Sequence, residues 1–260
     1  MQYGYFDNEK REYVIDNVAL PCSWTNYLGV EDMAAVINHT AGGYLFYKTP
    51  EYHRISRFRG NGVAMDRPGF YVYIRDNEKK DYHSISWQPV AKDLSKAKYR
   101  CRHGLSYTVY ESEYDGLASS QTMVIPCGEN VLLWDVKVKN TTDAVRNLSL
   151  FTYMEFSFHH IMIDNQNFQM SLYCAGSSYE DGIIEEDLFY EEKGISILPP
   201  TSHRTAMTAS ERNSWESMVP KIIRQAWREE LWKVPQNLVA ITAAACRRTL
   251  NYSPAKKPVL

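Results

Sequence analysis

The residues best suited to chemistry lie close together between positions 159 and 170, in the stretch HHIMIDNQNFQM. This stretch combines an imidazole and a carboxylate, at His160 and Asp164, with the side-chain amides of Asn167 and Gln169. Asn and Gln each offer hydrogen-bond donors and an acceptor, so a short amide-rich loop here can bind a polar ligand. The same amides can instead satisfy the backbone of the loop, and both interpretations stay open.

A metal site is the other chemistry that these residue types suggest. His159 and His160 are neighbours, so they would point to opposite faces of a strand, and their spacing from Asp164 fits no standard ligand set. The five cysteines are odd in number, widely scattered and without a C-x-x-C pair. That pattern disfavours a zinc site or a disulfide framework. We expect neither a metal nor an organic cofactor.

The elements that must position this stretch are predicted to be β-strands. Apolar residues alternate with polar ones from Leu132 to Val138 and again from Leu148 to Phe158. Asp115-Gly116 separates two further alternating runs and predicts a β-hairpin, and Gly42-Gly43 predicts a turn at the start of a strand. Helical periodicity is scarce, although Glu31 to Ile37 is predicted to form one short helix. The fold class predicted is all-β, a large antiparallel β-sandwich.

The composition changes abruptly after Gly194. All 13 glycines and every aspartate precede residue 195. From residue 201 onward there are ten Lys and Arg residues against four Asp and Glu. The alternating pattern ends as well, and residues 220–234 and 236–250 show weak helical periodicity instead. We therefore predict two parts, a β-sandwich domain over residues 1–194 and an irregular or helical tail over residues 195–260.

The overall charge excludes several classes of partner. A formal net charge of −2 gives no electrostatic case for binding nucleic acid or an anionic membrane. No apolar run approaches the roughly 18 residues of a spanning helix, and the N-terminus has no apolar signal segment, so we expect a cytoplasmic protein.

The basic residues Arg54, Arg57 and Arg59 are interpreted as a solvated strand face or a salt-bridged edge.

Five longer stretches carry a family resemblance. The stretches are GYFDNEKREYVI, NYLGVEDMAAVINHTAGGYLFYK, RISRFRGNGV, YRCRHGLSYT and NFQMSLYCAGSSYEDGIIEEDLFYEE. They resemble, in order, the N-terminal domain of the cellobiose phosphorylase family, glycoside hydrolase family 94. The similarity covers roughly residues 1–194. The resemblance implies a two-sheet β-sandwich, followed in family members by a linker and an (α/α) barrel that carries the chemistry.

The resemblance also implies an activity and a role for the stretch at 159–170. Family members phosphorolyse a β-glucoside reversibly and with inversion, giving glucose 1-phosphate, with inorganic phosphate as co-substrate. Their catalytic Asp lies in the barrel, so no catalytic residue is assigned to this chain. They are homodimers in which sandwich residues help to close the site of the acceptor sugar. Asn167 and Gln169 match that pattern, His160 and Asp164 flank it, and Met170 stands where an arginine is common, which leaves the acceptor sugar open.

Three hypotheses arise for the chain as a whole. The first is a truncated phosphorylase fragment that binds a disaccharide. Its tail would be frameshifted from near Ile195, because residues 201–217 read one frame over can resemble the family sequence that comes after DLFYEE. The second is a stand-alone carbohydrate-binding β-sandwich without catalysis. A third and weaker one is a mutarotase-like enzyme, suggested by architecture alone.

Overall fold

The computed structural model describes residues 2–58, 68–166, 175–180, 183–188, 205–208 and 248–252. These residues form strands and, within the described ranges, one short helix. The helix is α1 (Ile161–Gln166), which follows β14. In chain order the strands are β1 (Gly4–Asp7), β2 (Glu12–Ile15), β3 (Thr25–Leu28), β4 (Met33–Asn38), β5 (Gly43–Tyr47), β6 (Arg54–Ser56), β7 (Tyr71–Asp76), β8 (Asp81–Ser84), β9 (Ala97–His103), β10 (Tyr107–Tyr114), β11 (Leu117–Val124), β12 (Leu133–Asn140), β13 (Arg146–Tyr153), β14 (Phe156–His159), β15 (Ala175–Glu180), β16 (Ile183–Leu188), β17 (Thr205–Thr208) and β18 (Arg248–Tyr252).

The described strands form four antiparallel sheets. A six-stranded sheet has the order β1-β2-β9-β10-β11-β12, and a five-stranded sheet has the order β14-β6-β5-β4-β3. A four-stranded sheet, β18-β13-β7-β8, and a three-stranded sheet, β15-β16-β17, complete the set. Antiparallel sheets with little helix are the predicted fold class, which is confirmed.

The hairpin between β10 and β11 forms where the sequence predicts it. Tyr114 pairs with Leu117, so Asp115 and Gly116 alone make the turn. Their φ angles, 48° and 75°, are both left-handed, as a two-residue turn of this hand requires. The turn predicted at Gly42-Gly43 lies just before them, at residues 39–41, and Gly43 is the first residue of β5.

The helix predicted for Glu31 to Ile37 is wrong. Met33–Asn38 is strand β4, which pairs with β3 on one side and β5 on the other. Ala35 and Ile37 are fully buried while Ala34 and Val36 are only partly so, which is the period of a strand. The backbone hydrogen bonds to two neighbouring strands outweigh the favourable helix propensity of Met and Ala, since tertiary context routinely overrides such a local preference.

One apolar core joins the three larger sheets. Tyr110 of the six-stranded sheet donates its hydroxyl hydrogen to the Asn38 carbonyl of the five-stranded sheet, at 2.7 Å. Trp134 of β12 meets the ring of Phe70, just before β7, edge to face at 5.8 Å. The six-stranded sheet therefore packs against the other two, as in a sandwich. Further buried members of this core are Ile15, Leu28, Ile37, Leu45, Val72, Ile74, Cys101, Met123, Val136, Leu148 and Leu150.

The tail is described only in two short segments, both strands. β17 pairs with β16, and β18 pairs with β13 through Leu250 and Leu148. The helix predicted for residues 236–250 is therefore wrong over 248–250, where pairing with β13 imposes an extended backbone. The helix predicted for residues 220–234 lies outside the described residues. The division of the chain at residue 194 remains a prediction.

Within the described residues no helix is long and apolar enough to span a bilayer. The helix α1 has only six residues.

Candidate functional site

The stretch predicted to bind a ligand begins at the edge of the five-stranded sheet. The chain leaves β14 at His159 and enters α1 at Ile161, so a helical turn begins the segment that the sequence predicts as a loop. His160 and Asp164 lie in this part. Asn167 and Gln169 lie outside the described residues.

His160 caps α1 and anchors its first turn. Its Nδ1 accepts the backbone N–H of Met162 at 3.1 Å, and its carbonyl accepts that of Asp164 at 2.9 Å. Such capping satisfies N–H groups that the first turn of a helix leaves without partners. The rings of His160 and Tyr52 are T-shaped, with their centres 4.7 Å apart, and the imidazole Nε2 lies 3.7 Å from a carboxylate oxygen of Glu51. The backbone N–H of Ile161 donates to the Glu51 carbonyl at 2.8 Å, so α1 begins fixed to the connection between β5 and β6.

Asp164 is buried and paired with Arg57. The guanidinium Nη2 and Nε of Arg57 lie 3.1 Å and 3.2 Å from the two carboxylate oxygens of Asp164. The side chains are 11% and 5% exposed. Burial on its own lowers the pKa of Arg57, but the hydrogen bonds and charges of Asp164 and Glu155 outweigh it and the pKa is raised. This geometry suits a carboxylate that positions α1.

Arg57 also reaches the connection between β13 and β14. Its Nη1 lies 3.3 Å from a carboxylate oxygen of Glu155, and its backbone N–H donates to the Glu155 carbonyl at 2.8 Å. Glu155 in turn accepts a hydrogen bond from the Tyr153 hydroxyl. One arginine thus bridges two connections that are distant in sequence.

The basic run divides into two different environments. Arg57 forms the salt-bridged edge that was one of the two predicted interpretations. Arg54 is only 4% exposed, with its guanidinium 3.7 Å from the centre of the Tyr44 ring and its Nε donating to the Pro50 carbonyl at 3.1 Å. Burial lowers the pKa of Arg54, and the nearby Tyr44 and Asp164 oppose that effect. A solvated strand face is wrong for Arg54, and Arg59 lies outside the described residues.

A separate groove of about 680 Å³ lies on the six-stranded sheet. Two ion pairs cross the groove. Lys98 Nζ lies 3.3 Å from a carboxylate oxygen of Glu113, and Arg100 Nη1 lies 3.9 Å from a carboxylate oxygen of Glu111. The groove has charged walls and contains Ser120 of β11. Sequence reasoning missed it. The signal available was the alternation of charges in KYRCR, ESE and KVK, but the order of the strands was needed to bring those charges together.

In the parts of the chain that the structure describes, no three His, Cys, Asp or Glu side chains gather as a metal site would require. Cys22, Cys101 and Cys127 are unpaired thiols. Cys174 and Cys246 lie outside the described residues.

Comparison with known proteins identifies relatives of the chain. Residues 11–218 match the family model described as glycosyl hydrolase 94, supersandwich domain. The chain is 56% identical over 190 residues to an N,N'-diacetylchitobiose phosphorylase of Vibrio proteolyticus, and 54% identical over 190 residues to one of Vibrio furnissii. Each alignment covers 73% of this chain and 24% of the relative. A solabiose phosphorylase of Paenibacillus borealis is 25% identical over 245 residues, which cover 88% of this chain and 31% of the relative.

Two facts describe the extent of these matches. The chain spans about a quarter of the length of the two Vibrio relatives. The family match continues to residue 218, beyond the change in composition at Gly194.

Proposed function

Since the chain belongs to the glycosyl hydrolase 94 family, through its supersandwich domain, we propose that it is the sugar-site part of a β-disaccharide phosphorylase. The observation that carries the proposal is the 54–56% identity to two N,N'-diacetylchitobiose phosphorylases over 73% of the chain. The substrate proposed is accordingly an N-acetylated β-linked disaccharide. The expected product is therefore a sugar 1-phosphate that carries an acetamido group, in place of the glucose 1-phosphate of the broader family.

In the proposed reaction this chain binds sugar and a separate catalytic part supplies the acid. Phosphate attacks the anomeric carbon as the bond to the leaving sugar oxygen breaks, and a carboxylic acid protonates that oxygen. One carboxylate suffices for this inversion, because phosphate replaces the water that an inverting hydrolase must activate. No residue of this chain is assigned that acid. Its contribution is to bind the acceptor sugar.

Four residues are proposed to form or support the site that binds the acceptor sugar. Asn167 and Gln169 hydrogen-bond sugar hydroxyl and acetamido groups, for which amide side chains supply both donors and acceptors. His160 and Asp164 lie at the start of the same segment. Their contacts with Glu51, Tyr52 and Arg57 support the idea that this start is held in a fixed place. The proposal includes a homodimer, as the family resemblance implies, and a cytoplasmic location, as expected from the sequence.

The experiment that tests the proposal is a titration of the 260-residue chain with N,N'-diacetylchitobiose, followed by NMR. We expect saturable shifts, weaker binding of cellobiose, and a Kd raised about tenfold or more in Asn167→Ala and Gln169→Ala, since each loses polar contacts to the sugar. Asn8→Ala, in the exposed turn between β1 and β2, is the matched control. Equal binding by wild type and both amide variants would contradict the proposed site.

The groove on the six-stranded sheet favours a second candidate, a stand-alone carbohydrate-binding sandwich. Its volume and polar walls suit a disaccharide. Ser120→Trp would fill the groove without touching α1. Sugar binding that survives in Asn167→Ala and is lost in Ser120→Trp would support this second function.

A further inference from the structure

We propose that Arg57 is the positioning residue of the sugar-binding segment, acting through Asp164 to fix the orientation of α1. This inference rests on the proposed function, because it assigns a task to the support of the same site. It assigns Arg57 no contact with sugar.

The first argument is what holds α1 in place. Of its six residues Asp164 alone is buried, and Met162, two positions earlier, is 53% exposed. A helix of this length is not stable by itself in water. Ile161 and Ile163 are only half-buried, so the ion pair of Asp164 with Arg57 adds a second anchor to the backbone bond between Ile161 and Glu51.

The second argument is the geometry of the guanidinium. Nε and Nη2 face Asp164, and Nη1 faces Glu155. A planar group that engages two carboxylates from different directions fixes both in angle as well as in distance. Lysine carries the same charge on a single nitrogen and cannot reproduce this arrangement.

The third argument is where Arg57 lies in the chain. It directly follows β6, an inner strand of the five-stranded sheet that pairs with β5 and β14. Asp164 is 107 residues away, and Asn167 follows it by three positions. Arg57 therefore links the end of β6 to the start of the amide-bearing segment. Loss of this link would therefore release the start of the segment for which sugar binding is proposed.

The test compares Arg57→Lys and Asp164→Asn with Arg146→Lys. Arg146 forms another buried ion pair, with Asp76, in the four-stranded sheet. It therefore controls for a general loss of stability. Two readouts are taken on the full chain: amide hydrogen exchange at Ile161 and Asp164, and the Kd for N,N'-diacetylchitobiose.

We expect both site variants to exchange these two amides about tenfold faster than wild type, since local opening governs exchange. Their Kd should rise about fivefold or more, the cost of a binding segment that is less often in place. Arg146→Lys should change neither. Asp164→Asn keeps the side-chain shape, so it serves if Arg57→Lys does not fold.

Each other outcome overturns a defined part of the account. Unchanged exchange in α1, or faster exchange with unchanged sugar affinity, overturns the role of Arg57. Equal effects in Arg146→Lys would reduce that role to general stability. A wild-type chain that binds no sugar contradicts the proposed function, and the exchange data alone then decide whether Arg57 anchors α1.

Discussion

Arg146 and Asp76 form a buried ion pair on neighbouring strands, with Nη2 2.6 Å from Oδ2 and both side chains 7% exposed. Arg146 also donates to the carbonyl and the carboxylate of Asp115, in the β10–β11 turn. The arginine therefore ties the four-stranded sheet to the six-stranded sheet. Burial raises the pKa of Asp76, but backbone hydrogen bonds and Arg146 outweigh it and the pKa is lowered.

Removing this arginine should destabilise the sandwich. We predict that Arg146→Met lowers the free energy of unfolding by about 3–5 kcal/mol, because it leaves the Asp76 carboxylate buried without its partner. Urea unfolding followed by tryptophan fluorescence measures the change. Lys98→Met, which breaks an exposed pair with Glu113, is the control and should cost less than about 1 kcal/mol. Equal losses in the two variants would show that Arg146 does not join the sheets as described.

Stability should fall as the pH is lowered from about 6.5 to 4. Burial lowers the pKa of His83 and of His103 to about 4. Around His83, Lys92 adds to this effect, whereas Asp81 and Asp115 oppose it. The unfolded chain, whose histidines titrate near 6.5, therefore binds more protons than the folded chain within this window.

The measurement is the free energy of unfolding at several pH values between 7.5 and 4. Each histidine contributes a slope of at most about 1.4 kcal/mol per pH unit. His83→Gln removes one titrating group and should make the slope shallower. A His83→Gln variant with the slope of wild type would refute the assignment.

Gly43 should tolerate no side chain. Its φ is 149°, and a Cβ built there would overlap the backbone carbonyl oxygen of Val36 in the neighbouring strand β4. Gly128 also has a left-handed φ, 79°, but a Cβ there meets nothing within 4 Å. We predict that Gly43→Ala costs well over the roughly 1–2 kcal/mol of left-handed strain expected for Gly128→Ala. Thermal unfolding of the pair tests this, and similar melting temperatures would count against the close approach of β4 and β5.

The change of composition after Gly194 leads to a prediction about the gene. We predict that resequencing from codon 185 to past codon 260 finds one base gained or lost near codon 195. The corrected frame should continue the family sequence. An intact frame across this region would dismiss the frameshift and leave residues 195–260 as the native sequence.

Local patterns predicted the local features well. Asp115-Gly116 predicted its hairpin because the two residues that accept left-handed backbone stand next to each other. The stretch Glu31 to Ile37 misled, because its helix-forming residues carry no sign of the two strands that flank β4. The tertiary contact of Arg57 with Asp164 was beyond reach, since 107 residues separate them and only the order of the sheet brings them together. The segment at 159–170 was proposed from its amides, and its contact with Arg57 could not be predicted from the sequence.

The measurement that tests the central claim most directly is a graft. The 190 aligned residues of this chain would replace their counterparts in the Vibrio proteolyticus enzyme, which is named for N,N'-diacetylchitobiose. Phosphate-dependent release of a sugar 1-phosphate from that disaccharide would then be measured, with Asn167→Ala in the graft as a second sample. The account predicts an active graft and a raised KM for the disaccharide in the variant, with the KM for phosphate unchanged. A folded graft without activity, or a variant with unchanged kinetics, would contradict it.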